Sequence, residues 1–327
     1  MHLDRRLLGW GLFFILLGAV PLAVRANAVD PDLVGRWPTL WPFLLIGWGL
    51  GLVLRASPIA WIGGTIVAVT FGLMGGGAIA TGFAGAPVFS SCGSGAGQAF
   101  QASQGSFGTT GHLGVEFNCG TLDVTAADGS GWSVSGVSRD GRAPIVETDG
   151  SSSVTIKGPE RGFDFVSGRT AWTVAVPRAP HLGFDLTLNA GDGTVDLAGT
   201  SLDGFGFTVN AGSLDLDLSH AAAVPTDGMH GTVNAGSANV NLPAFDGSMG
   251  LSMNAGSLTV CVPQGTALEV HWSGTIASHD LDSAGLVKTG DNIWTTPGFV
   301  AGSPHVALDV SANAGSFSLG LGGSCSG

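Results

Sequence analysis

The tetrapeptide Asn-Ala-Gly-Ser, or its variant Asn-Ala-Gly-Asp, opens at Asn189, Asn210, Asn234, Asn254 and Asn313. A diverged copy, Asn118-Cys119-Gly120-Thr121, stands ahead of them. Successive copies are 21, 24 and 20 residues apart through the middle, and the last gap of 59 is close to three such steps. A period of this length marks a repeat architecture, in which one small unit recurs and buries its apolar face only against its neighbours.

The flanks say what the unit is. After the motif, Leu214, Leu216 and Leu218 alternate with Asp215 and Asp217, and Ala238, Val240 and Leu242 alternate with Asn239 and Asn241. Leu258, Val260 and Val262 repeat the pattern, as do Phe317, Leu319 and Leu321. Before the motif, Leu186 and Leu188, Phe207 and Val209, and Leu251 and Met253 bracket Thr187, Thr208 and Ser252. Period-two alternation is the signature of a strand with one buried face. Each unit therefore reads as strand, corner, strand. Asn189, Gly191, Asn210, Gly212, Asn234, Gly236, Asn254, Gly256, Asn313 and Gly315 form the corners. Gly accepts positive φ without steric cost, and Asn tolerates the left-handed region and bonds nearby backbone. Hairpins in a sandwich can use such turns, but a repetitive, β-helix-like solenoid explains the step of about 20 residues better. In a solenoid the Asn side chains can stack as a ladder. After Cys261 the step is lost: Val262-Pro263-Gln264-Gly265 turns the chain, Leu268–Trp272 reads as a strand, and Asp280, Asp282 and Asp291 sit in loops. That irregularity suits a cap closing the stack.

Ahead of the repeats the chain changes character. Three apolar runs, at about 7–24, 37–54 and 59–85, each have the length needed to span a bilayer as a helix. Trp10, Trp37, Trp41 and Trp61 lie near their ends, as interfacial indoles do. The expected layout is a three-helix transmembrane region over 1–89, a Ser/Gly-rich tether over 90–111 and a repetitive β domain over 112–327. A competing reading makes 1–28 a signal peptide cut after Ala26-Asn27-Ala28, though its apolar run is longer than usual. Arg5, Arg6 and Arg55 place the N-terminus inside and the β domain outside, in a multi-pass cell-membrane protein.

Charge narrows the partners. The chain carries a formal charge of −12. Residues 1–89 hold five Arg against three Asp, and the rest holds seven Lys or Arg against 21 Asp or Glu. So few cations cannot neutralise phosphates, which argues against nucleic acid as a partner. Cys92, Cys119, Cys261 and Cys325 all lie beyond the apolar region and form no CxxC pair. They are candidates for disulfides, with three possible pairings, or for buried thiols.

No cofactor or metal site is expected. The eight His show no helical i, i+4 pair and no Cys partner. Asp196, Asp215, Asp217 and Asp309 fall on outward strand faces, where Ca²⁺ is one option and plain solvation the simpler one. Catalysis is not expected either, because no nucleophile elbow or Ser-His-Asp ordering is present and the outer Glu residues are far apart. Trp132, Trp172, Trp272 and Trp294 can stack on sugars, but core or cap positions account for them equally.

Several segments carry a family likeness: the NAGS corners, LDLDLS, NVNLP, CVPQGTALEV, and WTTPGF ahead of VSANAGSFSLGL. The outer domain resembles the toastrack or adhesin-type β domains of bacterial envelope proteins, bactofilin-like in its solenoid character. RRLLGWGLFFILLG and RWPTLWPFLLIGWGLGLVLR resemble the paired helices of LiaF-type membrane proteins, although the third apolar run departs from that pattern. The resemblance implies a bacterial, non-catalytic envelope protein engaged in stress sensing or surface interaction. Besides the lipid bilayer, its implied partners are a membrane sensor kinase or an envelope polymer. The alternatives are a surface adhesin or glycan-binding protein and, behind it, a polysaccharide-active β-helix enzyme.

Overall fold

The computed structural model describes residues 5–25, 40–53, 61–80, 97–159 and 169–322. They fall into two units divided between Ser91 and Cys92.

The first unit contains α1 (Arg5–Arg25), α2 (Trp41–Val53) and α3 (Trp61–Ala80). Glycines set its packing. A Cβ on Gly63 would run into the backbone of Gly47 and Gly51, and one on Gly72 or Gly76 into Phe13, Leu16 and Val20. α3 therefore lies close against α2 near one end and α1 near the other. Phe14, Ile15, Phe43, Trp48, Leu52 and Phe71 remain exposed. Among the described residues no helix is long and apolar enough to cross a membrane. The expected three-helix transmembrane segment, and the multi-pass membrane placement built on it, are corrected accordingly. At 1.5 Å per residue the 13 residues of α2 cover only about 20 Å of a core about 30 Å thick. α1 is bounded by Arg at both ends. The proposed cleavage site at Ala26-Asn27-Ala28 lies outside the described residues.

The second unit is almost entirely strand. It begins with β1 (Gln98–Ala99), β2 (Ser103–Ser106), β3 (Thr110–Phe117), β4 (Thr121–Ala127), β5 (Gly131–Ser138), β6 (Ile145–Asp149), β7 (Ser153–Lys157) and β8 (Ala171–Pro177). It continues with β9 (His181–Leu188), β10 (Asp192–Asp196), β11 (Ser201–Val209), β12 (Gly212–Asp217), β13 (Met229–Asn241) and β14 (Gly247–Val262). It closes with β15 (Leu268–His279), β16 (Val287–Gly290), β17 (Ile293–Thr295) and β18 (Val306–Leu321).

Each expected strand–corner–strand unit is a rung, and rungs stack in parallel, in register. The arms before the corner pair in the order β7, β3, β9, β11, β13, β14, β18, β15. The arms after it pair in the order β8, β4, β10, β12, β13, β14, β18, β15. From β13 onward one continuous strand runs through the corner.

Spatial order departs from chain order at both ends. After the β3/β4 rung the chain moves outward to build β7 and β8, then returns to lay β9/β10 on the inner side. After β14 it builds β15 as the outermost rung, and β18 then inserts between β14 and β15. The 59-residue gap is therefore not three stacked steps: Asn313 stands on the rung next to Asn254.

Inward-facing residues fill the core as the alternation predicts, from Leu186 and Leu188 through Phe317 and Leu319. Leu321, at the end of β18, is the exception at 37% exposed. The stretch read as a tether contributes structure too. β1 and β2 pair antiparallel with β5, and Phe100 and Phe107 are buried. The Ser and Gly around them gave no alternation to detect.

Aromatic side chains close the core at each end. Trp132 and Trp172 are buried at the β5–β8 end, with Trp172 edge-on to Phe117 at 5.0 Å. At the β15 end, His279 lies edge-on to both Trp272 (5.1 Å) and Trp294 (4.8 Å), and Leu281 and Leu286 are buried beside them. The four Trp are thus core and cap residues.

Candidate functional site

The corners form one ridge along the stack. Asn189 donates from Nδ2 to Asn118 Oδ1 at 2.9 Å, Asn210 to Asn189 at 2.7 Å and Asn234 to Asn210 at 2.6 Å. Asn254 donates to Asn234 at 2.7 Å and Asn313 to Asn254 at 2.8 Å. Six asparagines therefore make a continuous amide ladder, closing sequence separations as large as 71 and 59 residues. Each such bond contributes about 1 kcal/mol net. Their regular repetition fixes register, because a slipped rung breaks two bonds at once.

Beside the ladder runs a glycine column. Gly120, Gly191, Gly212, Gly236, Gly256 and Gly315 all have φ between +105° and +146°. From Gly191 onward, a Cβ would overlap the carbonyl oxygen of the glycine one rung back. The rung separation at the corner leaves no space for a side chain, and φ there is closed to L-residues. Asn and Gly are thus both consumed by the architecture. In the first copy Cys119 takes the slot held by Ala in the other corners. Cys119 and Cys261 are each disulfide-bonded, and not to each other, since four rung steps separate β4 from β14. Cys261 is buried over Gly320 of the adjacent rung. Cys92 and Cys325 lie outside the described residues.

What the ridge leaves outward is polar and ordered in columns. Two residues before the Asn stand Thr187, Thr208, Thr232, Ser252 and Ser311, aligned by strand register. Beyond the corner, Thr194, Asp215, Asn239, Thr259 and Ser318 align likewise. Asn239 donates to Asp215 at 2.7 Å, and Ser213 donates to Asp192 at 2.5 Å.

Several histidines lie beside carboxylates, His112 and His181 across rungs. His112 Nε2 lies 3.0 Å from Asp185, and His181 Nδ1 lies 3.1 Å from Asp203. His271 contacts Glu269 at 2.8 Å and Asp309 at 3.5 Å. Asp185 and His230 lean together over Gly206, whose missing side chain makes room for them. Apart from His271 and Glu269, two apart on one strand, these residues are brought together only by inter-rung register, which no sequence motif shows. Asp196, Asp215 and Asp217 are on outward faces as expected, and Asp309 lies three rungs farther along the stack, on the other arm. Among the described residues no group of three or more His, Cys, Asp or Glu is placed to hold a metal ion.

No known family profile matches the chain, and no curated protein matches it. Among solved structures, a "putative cell adhesion protein" from Clostridium sporogenes ATCC 15579 is similar at 11% identity and a TM-score of 0.45. The likeness covers 68% of this chain and 99% of that one. A "putative adhesin" from Bacteroides fragilis NCTC 9343 is similar at 9% identity and a TM-score of 0.29, covering 67% of this chain and 96% of that one. Both likenesses lie below a TM-score of 0.5, so the functional reading rests on the chain's own geometry.

Proposed function

We propose that the chain is a non-catalytic recognition protein of the cell envelope, of adhesin or glycan-binding type, whose β unit presents a rigid polar face to a repetitive polymer. The observation that carries this reading is the outward hydroxyl and amide columns. Thr187, Thr208, Thr232, Ser252 and Ser311 repeat at the inter-strand spacing of about 4.8 Å. Because the ladder and glycine column hold them in register, little ordering entropy is lost on binding, which favours affinity. A polymer with periodic hydroxyls is the natural complement of such a row, and the acidic surface disfavours anionic polymers.

Binding of the full chain to insoluble envelope polysaccharide, measured by co-sedimentation, tests this. Replacing Thr208 and Thr232 together by Val is expected to weaken binding about tenfold, since two hydroxyl contacts are worth about 1.4 kcal/mol jointly. Unchanged binding would refute the role of the column. Shortening of the polymer during incubation would refute the non-catalytic part.

A second reading has its own observation. The exposed apolar side chains of the helices, Phe43, Trp48 and Phe71 among them, suit contact with a protein partner such as a sensor kinase. In that case deletion of residues 112–327 spares co-purification with the partner, whereas the polymer reading requires those residues.

A further inference from the structure

The chain holds four cysteines, and none of those described is free. Cys119 and Cys261 are both bonded, yet four rungs at about 4.8 Å each keep them apart, whereas a disulfide needs Cα atoms within about 7 Å. Their partners are therefore Cys92 and Cys325. Both of these lie outside the described residues, so chain length must decide which goes where.

Length does decide it. Gly322, just past β18, is pinned to the end of β14 by its N–H, which donates to the Val262 carbonyl at 3.0 Å. Cys325 follows three residues later and reaches at most about 11 Å from Gly322. Five rung steps, about 24 Å, separate β18 from the β3/β4 corner that carries Cys119. Cys325 cannot close that gap. It can meet Cys261, which pairs with Gly320 across β14 and β18. The Cys261 sulfur leans toward that strand, 2.6 Å from where a Cβ on Gly320 would stand. At the opposite end, a Cβ on Gly97 would lie 2.6 Å from the Arg169 carbonyl oxygen. The next carbonyl, that of Thr170, accepts from Thr121 N–H at 3.1 Å and abuts Gly120, the residue after Cys119. Cys92 stands five residues before Gly97, a span of up to about 18 Å, and so has the length to meet Cys119.

We infer that the β unit carries two disulfides, Cys92–Cys119 and Cys261–Cys325, each clipping one end of its chain onto a rung. The amide ladder holds only segments that contain a corner, and the two end segments contain none. Cys92–Cys119 fastens the stretch that enters β1 and β2, which lie antiparallel on β5 and outside the ladder. Cys261–Cys325 latches β18 onto β14, in the slot that the chain fills only after laying down β15. Closing each bond takes two protons and two electrons from a thiol pair, and a small disulfide such as oxidised glutathione accepts them, becoming two thiols. The clips involve neither the hydroxyl columns nor the helices, so they stand or fall apart from the polymer reading.

Peptide mapping of the full chain under non-reducing conditions tests the pairing. Mass spectrometry is expected to find Cys92 cross-linked to Cys119 and Cys261 to Cys325, with both links lost after dithiothreitol. Two variants add a second readout, maleimide labelling of free thiols in denaturant. Cys92→Ser is expected to free Cys119 and leave Cys261 unlabelled, and Cys325→Ser to free Cys261 alone. For the latch, limited proteolysis of the native chain is the measure. Cys325→Ser is expected to speed cleavage within β18 about tenfold or more, because the loop that the bond closed is released, while Cys92→Ser leaves that rate unchanged. Any other cross-link, or free thiols in the untreated chain, would overturn the pairing. Equal cleavage of β18 with and without the Cys261–Cys325 bond would overturn the latch.

Discussion

The middle of the stack and its two ends are built from the same rung, yet they obey different rules. From β9 to β14 each rung follows its predecessor in both chain and space, and one corner formula serves throughout. At the ends the chain overshoots, lays down an outer rung and returns to fill the slot inside it. The corner formula fails in the outermost rung, where Gly274-Thr275-Ile276 carries no Asn and the amide ladder stops at Asn313. A repeating interior can propagate on local contacts. An end must also cover a core, and here Trp172 and Trp272 do that on rungs whose position depends on distant segments.

The sharpest way to break this contrast is to remove the intercalated strand. Deleting residues 304–327 takes β18 from between β14 and β15, which have no pairing with each other. Unlike loss of a terminal rung, this opens a gap inside the stack, and limited proteolysis is expected to degrade the region from Gly247 onward. A fragment as resistant as the full chain would show that β15 can close directly onto β14.

Next in size is Gly236→Ala in the central column. Positive φ combined with overlap on the Gly212 carbonyl is expected to destabilise the β unit by about 4 kcal/mol or more in denaturant unfolding. Gly250→Ala is the control. It lies on the neighbouring rung with φ outside the positive range and its nearest backbone atom 4.0 Å away, so a change within about 0.5 kcal/mol is expected.

Trp172→Ala at the end is expected to cost about 3–4 kcal/mol, because it uncovers the core beneath Phe117. A smaller loss would mean that β5 alone closes that end. The smallest pair concerns the ladder. Asn234 both donates to Asn210 and accepts from Asn254, whereas Asn313 makes a single ladder bond. Asn234→Ala is expected to cost about 2 kcal/mol and Asn313→Ala about 1 kcal/mol. Equal effects would show that the loss does not scale with the number of ladder bonds broken.

The alternation around Leu214–Leu218 and Ala238–Leu242 is a local property, and so is the need for Gly at positive φ. Both were therefore legible from the residues, as was the irregular cap after Cys261. The Asn ladder followed from the corners once they were taken to stack. The 71- and 59-residue closures were not legible, because equal corners look alike whichever neighbour they meet. The His112–Asp185 and His271–Asp309 contacts escaped for the same reason. The apolar runs at the N-terminus illustrate a different failure: hydropathy registers composition, whereas among the described residues no helix is long and apolar enough to cross a membrane.

By itself, then, the sequence determined what a rung is: two half-buried arms, a glycine that permits the corner and an asparagine that can bond its counterpart. These follow from side-chain sterics and hydrogen-bonding capacity within a few residues. Only the tertiary structure decided which rung lies beside which and where the ladder ends. Those are choices among chemically equivalent neighbours, settled by how the aromatic caps bury the two ends of one core.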